Sequence, residues 1–192
     1  MIGKLGGSAG ISEHSGLTPR VATLLFDVAR STPSSHEFFV ETSFLEIYNE
    51  KINDLLDPTA SSDNLKVRES PKLGVHVTGL TKKQAASAAQ VARVLVTGFT
   101  NRTVSATTYN AESSRSHAIF ELNVQQKYID AASGETMNRA AKINLVDLAG
   151  SERSDKVGTT GASLVEGNNI NKSLTVLGRC IKALVEVSWR TS

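Results

Sequence analysis

Residues 143–150 read INLVDLAG, an apolar run that ends in the pattern Asp147-x-x-Gly150. The run INLVDL is short, apolar and rich in branched side chains, so it predicts a buried central β-strand. Open α/β sheets place their ligands at the carboxyl ends of such strands. An aspartate there can hold a magnesium ion directly or through water, and the glycine lets a backbone N–H approach a terminal phosphate. Taken alone, the pattern fits an ordinary strand-to-turn junction better.

Working upstream, a turn at Ala132–Gly134 precedes this run, and before the turn lies the clearest alternation in the chain. Ala118, Phe120, Leu122 and Val124 alternate with Ile119, Glu121, Asn123 and Gln125, which predicts a strand with one buried face. Immediately before it stands NAESSRSH, residues 110–117. Three hydroxyls, an arginine and a histidine within eight residues supply donors and hard oxygen ligands suited to a phosphate and its cation. A serine-rich turn is the plain alternative.

The remaining elements follow from local signals. Residues 1–17 carry five glycines and read as a flexible lead-in. Thr18 as N-cap and Pro19 in the first turn predict a helix with Val21, Leu24, Leu25 and Val28 as its apolar stripe, stopping at Ser31–Ser34. Residues 38–48 predict a strand, EKINDLL a short helical turn closed by Asp57-Pro58, and LKVRES with LGVHVTGL two short strands. Ser87 and Gln90 match a capping box that opens a helix carrying Val91, Val94, Leu95 and Phe99. Strands and helices alternate through one α/β domain.

The chain has 192 residues, 40% of them hydrophobic and 21% charged, enough for one globular domain. A net charge of +2 makes nucleic acid or an anionic membrane a poor expectation as main partner. One cysteine, Cys180, excludes an internal disulfide and a multi-cysteine zinc site, and four scattered histidines show no metal spacing. No stretch is long and apolar enough to span a bilayer, and the expected location is the cytoplasm.

Taken together, these motifs resemble a kinesin motor domain. NAESSRSH is similar to the family's switch I motif N-x-x-S-S-R-S-H, LVDLAGSER (145–153) to its switch II, and GASLVEGNNINKSLTVLGRCIKAL (161–184) to the loop and relay helix that follow. SFLEIYNEKINDLLDP (43–58) is also kinesin-like, so the resemblance runs from about Gly16 to Val187, with 18–187 as motor core. VRESPKLGVHV and NRTVSATTYN lean toward the kinesin-three class.

The resemblance implies a partial kinesin-type α/β fold: a central mixed, mostly parallel sheet flanked by helices, without the family's N-terminal strands and C-terminal elements. It implies ATP and Mg²⁺ as cofactors, with Asn110, Ser114, Ser116, His117, Asp147 and Gly150 lining the site. Ser114 would lie near the metal, Asp147 would support its water shell, and Gly150 would meet the γ-phosphate. Arg115 and Glu152 would form a latch between the switches that organises the attacking water, with Ser113 beside them. A bidentate Arg–carboxylate pair is directional enough to hold two loops in one geometry and release them in another.

The implied partner is the microtubule. Between Arg153 and Lys182 five basic residues face two acidic ones. Ile170, Leu174, Leu177, Ile181 and Leu184 form the expected buried stripe of the relay helix, with Lys172 and Arg179 roughly opposite. Lys156, Lys172, Arg179 and Lys182, with Lys66 and Arg68 in the earlier strand pair, are the expected tubulin contacts on the cytoskeleton.

One departure matters. The sequence contains no G-x-x-x-x-G-K-[ST] loop, whose amides cradle phosphates; its Gly3-Lys4 step continues into Leu5. The chain is expected to be the middle of a motor domain that alone binds ATP weakly and turns it over poorly. A non-catalytic microtubule-binding module derived from a kinesin is the second expectation. A GTPase fits poorly, because Asn171-Lys172 continues Ser-Leu instead of x-Asp.

Overall fold

The computed structural model describes residues 3, 13–33, 35–71, 73–109, 115–150 and 162–190. Helix α1 (Leu17–Ser31) is followed by β1 (His36–Tyr48), β2 (Lys51–Asp54), β3 (Lys66–Ser70), β4 (Gly74–Thr78) and β5 (Lys83–Gln84). Helix α2 (Ala88–Tyr109), β6 (His117–Ile129), β7 (Thr136–Asp147) and α3 (Ala162–Arg190) complete the order. The main sheet runs β2-β1-β6-β7, with β5 also paired to β1, while β3 and β4 form a separate hairpin. Three helices and a β-sheet make this the α/β arrangement expected from the alternation of elements. Every strand pair among the described residues is antiparallel, so the mostly parallel pairing expected above does not hold for this part of the sheet.

The core lies between one face of the sheet and helices α1 and α2. Alternation along β6 sends Ala118, Phe120, Leu122 and Val124 inward, as expected, and β1 contributes Val40 and Phe44. Val91 and Leu95 of α2 are fully buried, with Val94 and Phe99 packed beside them. The N-terminus of α2 is closed by the expected residues: the Gln90 amide donates to Ser87 Oγ at 3.3 Å, and Gln90 Oε1 accepts from the Ala86 amide at 2.6 Å. Phe44 sits at the centre, its ring 5.2 Å from Phe99 and 5.4 Å from Phe120, the latter edge-on.

Several expectations need correction. EKINDLL is not helical: Asn49 and Glu50 both take positive φ, 49° and 63°, and close a two-residue hairpin in which Lys51 pairs with Tyr48. The Asp54 carboxylate then pins the following turn, accepting from Leu56 N–H at 2.8 Å and from Thr81 N–H at 2.6 Å. In α1 the N-cap is Gly16, and the buried residues are Thr18, Pro19, Ala22 and Phe26. Leu24 and Val28 of the expected stripe are exposed, because the face is rotated toward Phe26. The lead-in is anchored at its end, where Gly3 bridges Ser15 and Arg20 Nε donates to the Ser15 carbonyl at 2.9 Å.

Strand β7 holds the apolar run at its end but is not central among the described residues. It pairs only with β6, and Leu145 is its one buried side chain. Of the expected relay stripe, Leu174 is half-buried and Leu177, Ile181 and Leu184 are exposed, while the side chain of Ile170 lies outside the described residues. An apolar stripe is buried only where another element lies on it. The hairpin β3–β4 is held to the sheet by Lys142, whose Nζ donates to the Val75 carbonyl at 3.1 Å and lies 3.3 Å from Glu121.

The α2–sheet contact is close enough to require glycine at one helical position. A Cβ on Gly98 would come within 2.9 Å of Phe44 Cε1 and overlap Cδ1, and Phe44 has no free space to retreat into. Gly98→Ala should gain up to about 1 kcal/mol in helix propensity and lose about 1–3 kcal/mol to overpacking. The expected outcome is a lower urea midpoint than wild type; an equal or higher midpoint would contradict this packing.

Candidate functional site

Antiparallel pairing of β6 with β7 sets Ala118 opposite Asp147. The last residues of the NAESSRSH segment and the start of the Asp147-x-x-Gly150 turn, some thirty positions apart in sequence, therefore meet at one end of the sheet. Two side-chain systems bind them together there.

The first is a buried charged knot. Arg102 on α2 is 5% exposed and Glu46 on β1 is 7% exposed, and Arg102 Nε donates to Glu46 Oε1 at 3.1 Å. Ser116 Oγ donates to the same carboxylate oxygen at 2.5 Å. Arg102 Nη2 donates in turn to Ser116 Oγ at 3.0 Å and to its carbonyl at 3.1 Å. Arg102 Nη1 lies 3.7 Å from Asp147 Oδ2. A buried charge is tolerated only when paired and hydrogen-bonded, and here four elements share the burden.

The second is His117. Its Nδ1 accepts from the Ala149 amide at 3.0 Å, and its Nε2 lies 2.8 Å from Ser173 Oγ on α3. An accepting Nδ1 puts the proton of a neutral ring on Nε2, so Nε2–H donates to the serine. Desolvation, and then the positive charge of Arg102, hold the His117 pKa below its ordinary value.

Of the residues expected in the site, Ser116, His117, Asp147 and Gly150 come together. Ser116 bonds to Arg102 and Glu46, and the His117 ring to Ala149 and Ser173. Asp147 is half-buried, with a side chain 43% exposed, so one edge of its carboxylate is open to solvent. Gly150 is half-buried, and Arg115 is half-buried in the turn before Ser116. Asn110, Ser113, Ser114, Glu152 and Lys156 lie outside the described residues, and with them the expected Arg115–Glu152 latch. Lys66 and Arg68 are exposed on β3; Lys172, Arg179 and Lys182 are exposed on α3, where Lys182 lies 3.9 Å from Glu186. A groove of about 510 Å³ lies elsewhere, between the hairpin residues Val67, Val75 and Val77 and the sheet residues Ile47, Ile119 and Val146.

Sequence reasoning missed Glu46 and Arg102. The signal was present: Glu46 follows Phe44 by two on a strand, and Arg102 follows Leu95 and Phe99 at helical spacing. Charges of opposite sign at two inward positions point to a buried pair.

A sheet whose adjacent strands deliver two polar segments to one end, with a helix following the second, is an α/β domain of the kind that places ligands at strand ends. A family model described as the kinesin motor domain matches residues 1–191, and the chain belongs to that family. It is 46% identical over 185 residues to mouse (Mus musculus) Kinesin-like protein KIF13A and 46% identical over 180 residues to human (Homo sapiens) Kinesin-like protein KIF13B. These matches cover 96% and 93% of this chain but only 11% and 10% of those proteins. Among solved structures, a fast kinesin matches with a TM-score of 0.80 at 39% identity, over 97% of this chain and 50% of that one. KIF14, solved as a dimer with AMP-PNP on a microtubule, matches with a TM-score of 0.75 at 38% identity, over 96% of this chain and 54% of that one.

Arg102→Met leaves Glu46 buried without its cation and should cost about 3–5 kcal/mol in urea unfolding, while adding Glu46→Gln should recover part of the loss. A cost below about 1 kcal/mol would show the pair to be solvated.

The depressed His117 pKa gives a signed pH dependence. The unfolded chain takes up the proton first as pH falls, so this contribution is complete above the ordinary value of 6.5 and is lost below it. The slope of urea midpoint against pH between 7.5 and 5 should be shallower in His117→Gln; identical slopes would contradict the assignment.

Proposed function

We propose that this chain is the switch-bearing segment of a microtubule motor, in which ATP binding and hydrolysis move the Asp147–Gly150 turn and the following helix α3 changes its hold on the track. The observation that carries this reading is the meeting of the two motifs at one sheet end, with Arg102 and His117 joining the first motif to the second. The family resemblance supplies the ligand class, ATP with Mg²⁺.

The residues present suit that cation. Asp147 offers a half-exposed hard oxygen, and among the described residues no group of three His, Cys, Asp or Glu side chains forms a protein cage. Mg²⁺ usually keeps several waters and takes one or two carboxylates plus substrate phosphates, so a single carboxylate beside a phosphate site is an adequate protein share. When bound, the metal would neutralise charge on the phosphates. Asp147 would anchor its water shell, Ser114 would lie close to it, and the Gly150 amide would face the γ-phosphate. Arg115 and Glu152 would close the loops over the nucleotide, with Asn110 and Ser113 beside them. Arg102 would keep Asp147 in place from behind.

Microtubules are acidic polymers in this reading, met by Lys172, Arg179 and Lys182 on α3, by Lys156, and by Lys66 and Arg68 on β3. The association is expected on the cytoskeleton. Because the sequence has no Gly-rich phosphate loop of the G-x-x-x-x-G-K-[ST] type, the 192-residue chain should turn over ATP poorly by itself. The second reading is a microtubule-binding module that does no chemistry.

Co-sedimentation of the chain with microtubules tests both. Binding should fall with added salt and weaken roughly tenfold in Lys172→Glu/Arg179→Glu. Binding that ignores the double charge reversal would sink the track assignment. Robust microtubule-stimulated ATP hydrolysis by this chain would overturn the low-turnover claim.

A further inference from the structure

The Asp147–Gly150 turn and helix α3 are consecutive in sequence, yet the described contact between them does not run along the chain. It runs through β6. Among the described side chains of α3, residues 172–186, only Ser173 and Leu174 are half-buried, while all the others are exposed. The helix therefore meets the domain near Ser173, and Ser173 Oγ is there 2.8 Å from His117 Nε2. The opposite nitrogen of the same ring takes the amide hydrogen of Ala149, which is itself 5% exposed.

We propose that His117 is a positioning residue that couples the Asp147–Gly150 turn to helix α3, one imidazole ring carrying a displacement of the turn across β6 to the helix. The proposal rests on the motor reading for its purpose, but its geometry stands on the two hydrogen bonds alone. A planar ring with a defined tautomer suits the task. Its two nitrogens lie on fixed vectors, one can only accept and the other can only donate, and neither bond can be kept if the ring turns over. The Ala149 amide cannot move away from β6 without releasing Nδ1, and the ring cannot follow it without pulling on Ser173. Ser116, the neighbouring residue, is fixed in the Arg102–Glu46 knot, so the backbone from which the ring hangs is anchored. The ring is thus a rigid lever on a fixed pivot, and Ser173 is the point at which it engages the helix.

The test uses the 192-residue chain and needs neither nucleotide nor microtubules, so its failure is separate from failure of the track assignment. Imidazole nitrogen NMR should show His117 as the Nε2–H tautomer with Nδ1 accepting a hydrogen bond. Ser173→Ala removes the acceptor on α3 at a half-buried surface position where the fold should survive. In that variant the Ala149 amide, a residue the substitution does not touch, should exchange its hydrogen about five- to tenfold faster, and Ser173→Thr should restore the wild-type rate. A ring in the Nδ1–H tautomer would overturn the proposal. So would an Ala149 amide whose exchange is the same in wild type and Ser173→Ala, because the two bonds would then be independent. Should Ser173→Ala fold poorly, the tautomer in the wild-type chain decides alone.

Discussion

The buried contact between Arg102 and Glu46 is the constraint on which the rest of this structure depends. A guanidinium and a carboxylate out of water are a liability unless every strong hydrogen-bonding direction is used. The chain meets that demand with Ser116 from the switch-like segment and Asp147 from the opposite strand. Helix α2, strands β1 and β7 and the residue that leads into β6 are thereby fixed at one point, and that point is the end of the sheet where the two polar motifs arrive. An apolar cluster of the same volume would hold the elements together as well, but it would not tell Asp147 where to put its carboxylate.

From that point the structure grades outward. Behind the knot lies the aromatic core around Phe44, where a single added methyl on Gly98 has no room. In front of it are the exposed edge of Asp147 and the amides of the turn that follows. To one side, His117 reaches α3, where Lys172, Arg179 and Lys182 and the stripe residues Leu177, Ile181 and Leu184 are exposed. The order is core, anchor, turn, helix, and the local packing decreases in the same order. In the proposed motor reading such a gradient suits a moving part on a fixed scaffold, since elements that shift come from the less tightly held end of a structure.

Much of this was legible in the sequence. The β6 alternation, the α2 stripe with its Ser87–Gln90 cap, the β3–β4 hairpin and the proximity of the two motifs all follow from local pattern or from family resemblance. What failed did so for physical reasons. INDLL has helical spacing, yet Asn49-Glu50 supplied a hairpin turn that periodicity does not weigh. INLVDL and the α3 stripe are apolar enough to be buried, but burial belongs to the neighbour as much as to the residue. In α1 the choice between Leu24 and Phe26 as the inward residue turned on a rotation of the helix, which Thr18 and Ala22, small and easily overlooked, decide. Glu46 and Arg102 were passed over because charged residues are usually read as surface, although both occupy inward positions. His117 was read as lining a ligand site, and periodicity could not show that its two nitrogens meet Ala149 and Ser173 in this structure.

The central claim is that the switch-like segment and the Asp147–Gly150 turn are held as one unit by the Arg102–Glu46 knot. Residue-resolved hydrogen exchange on the Glu46→Gln chain tests it most directly. The account predicts faster exchange at 116–118 and at 145–149 together, with the α1 and β3–β4 amides unchanged. Loss of protection confined to β1 around residue 46 would contradict it.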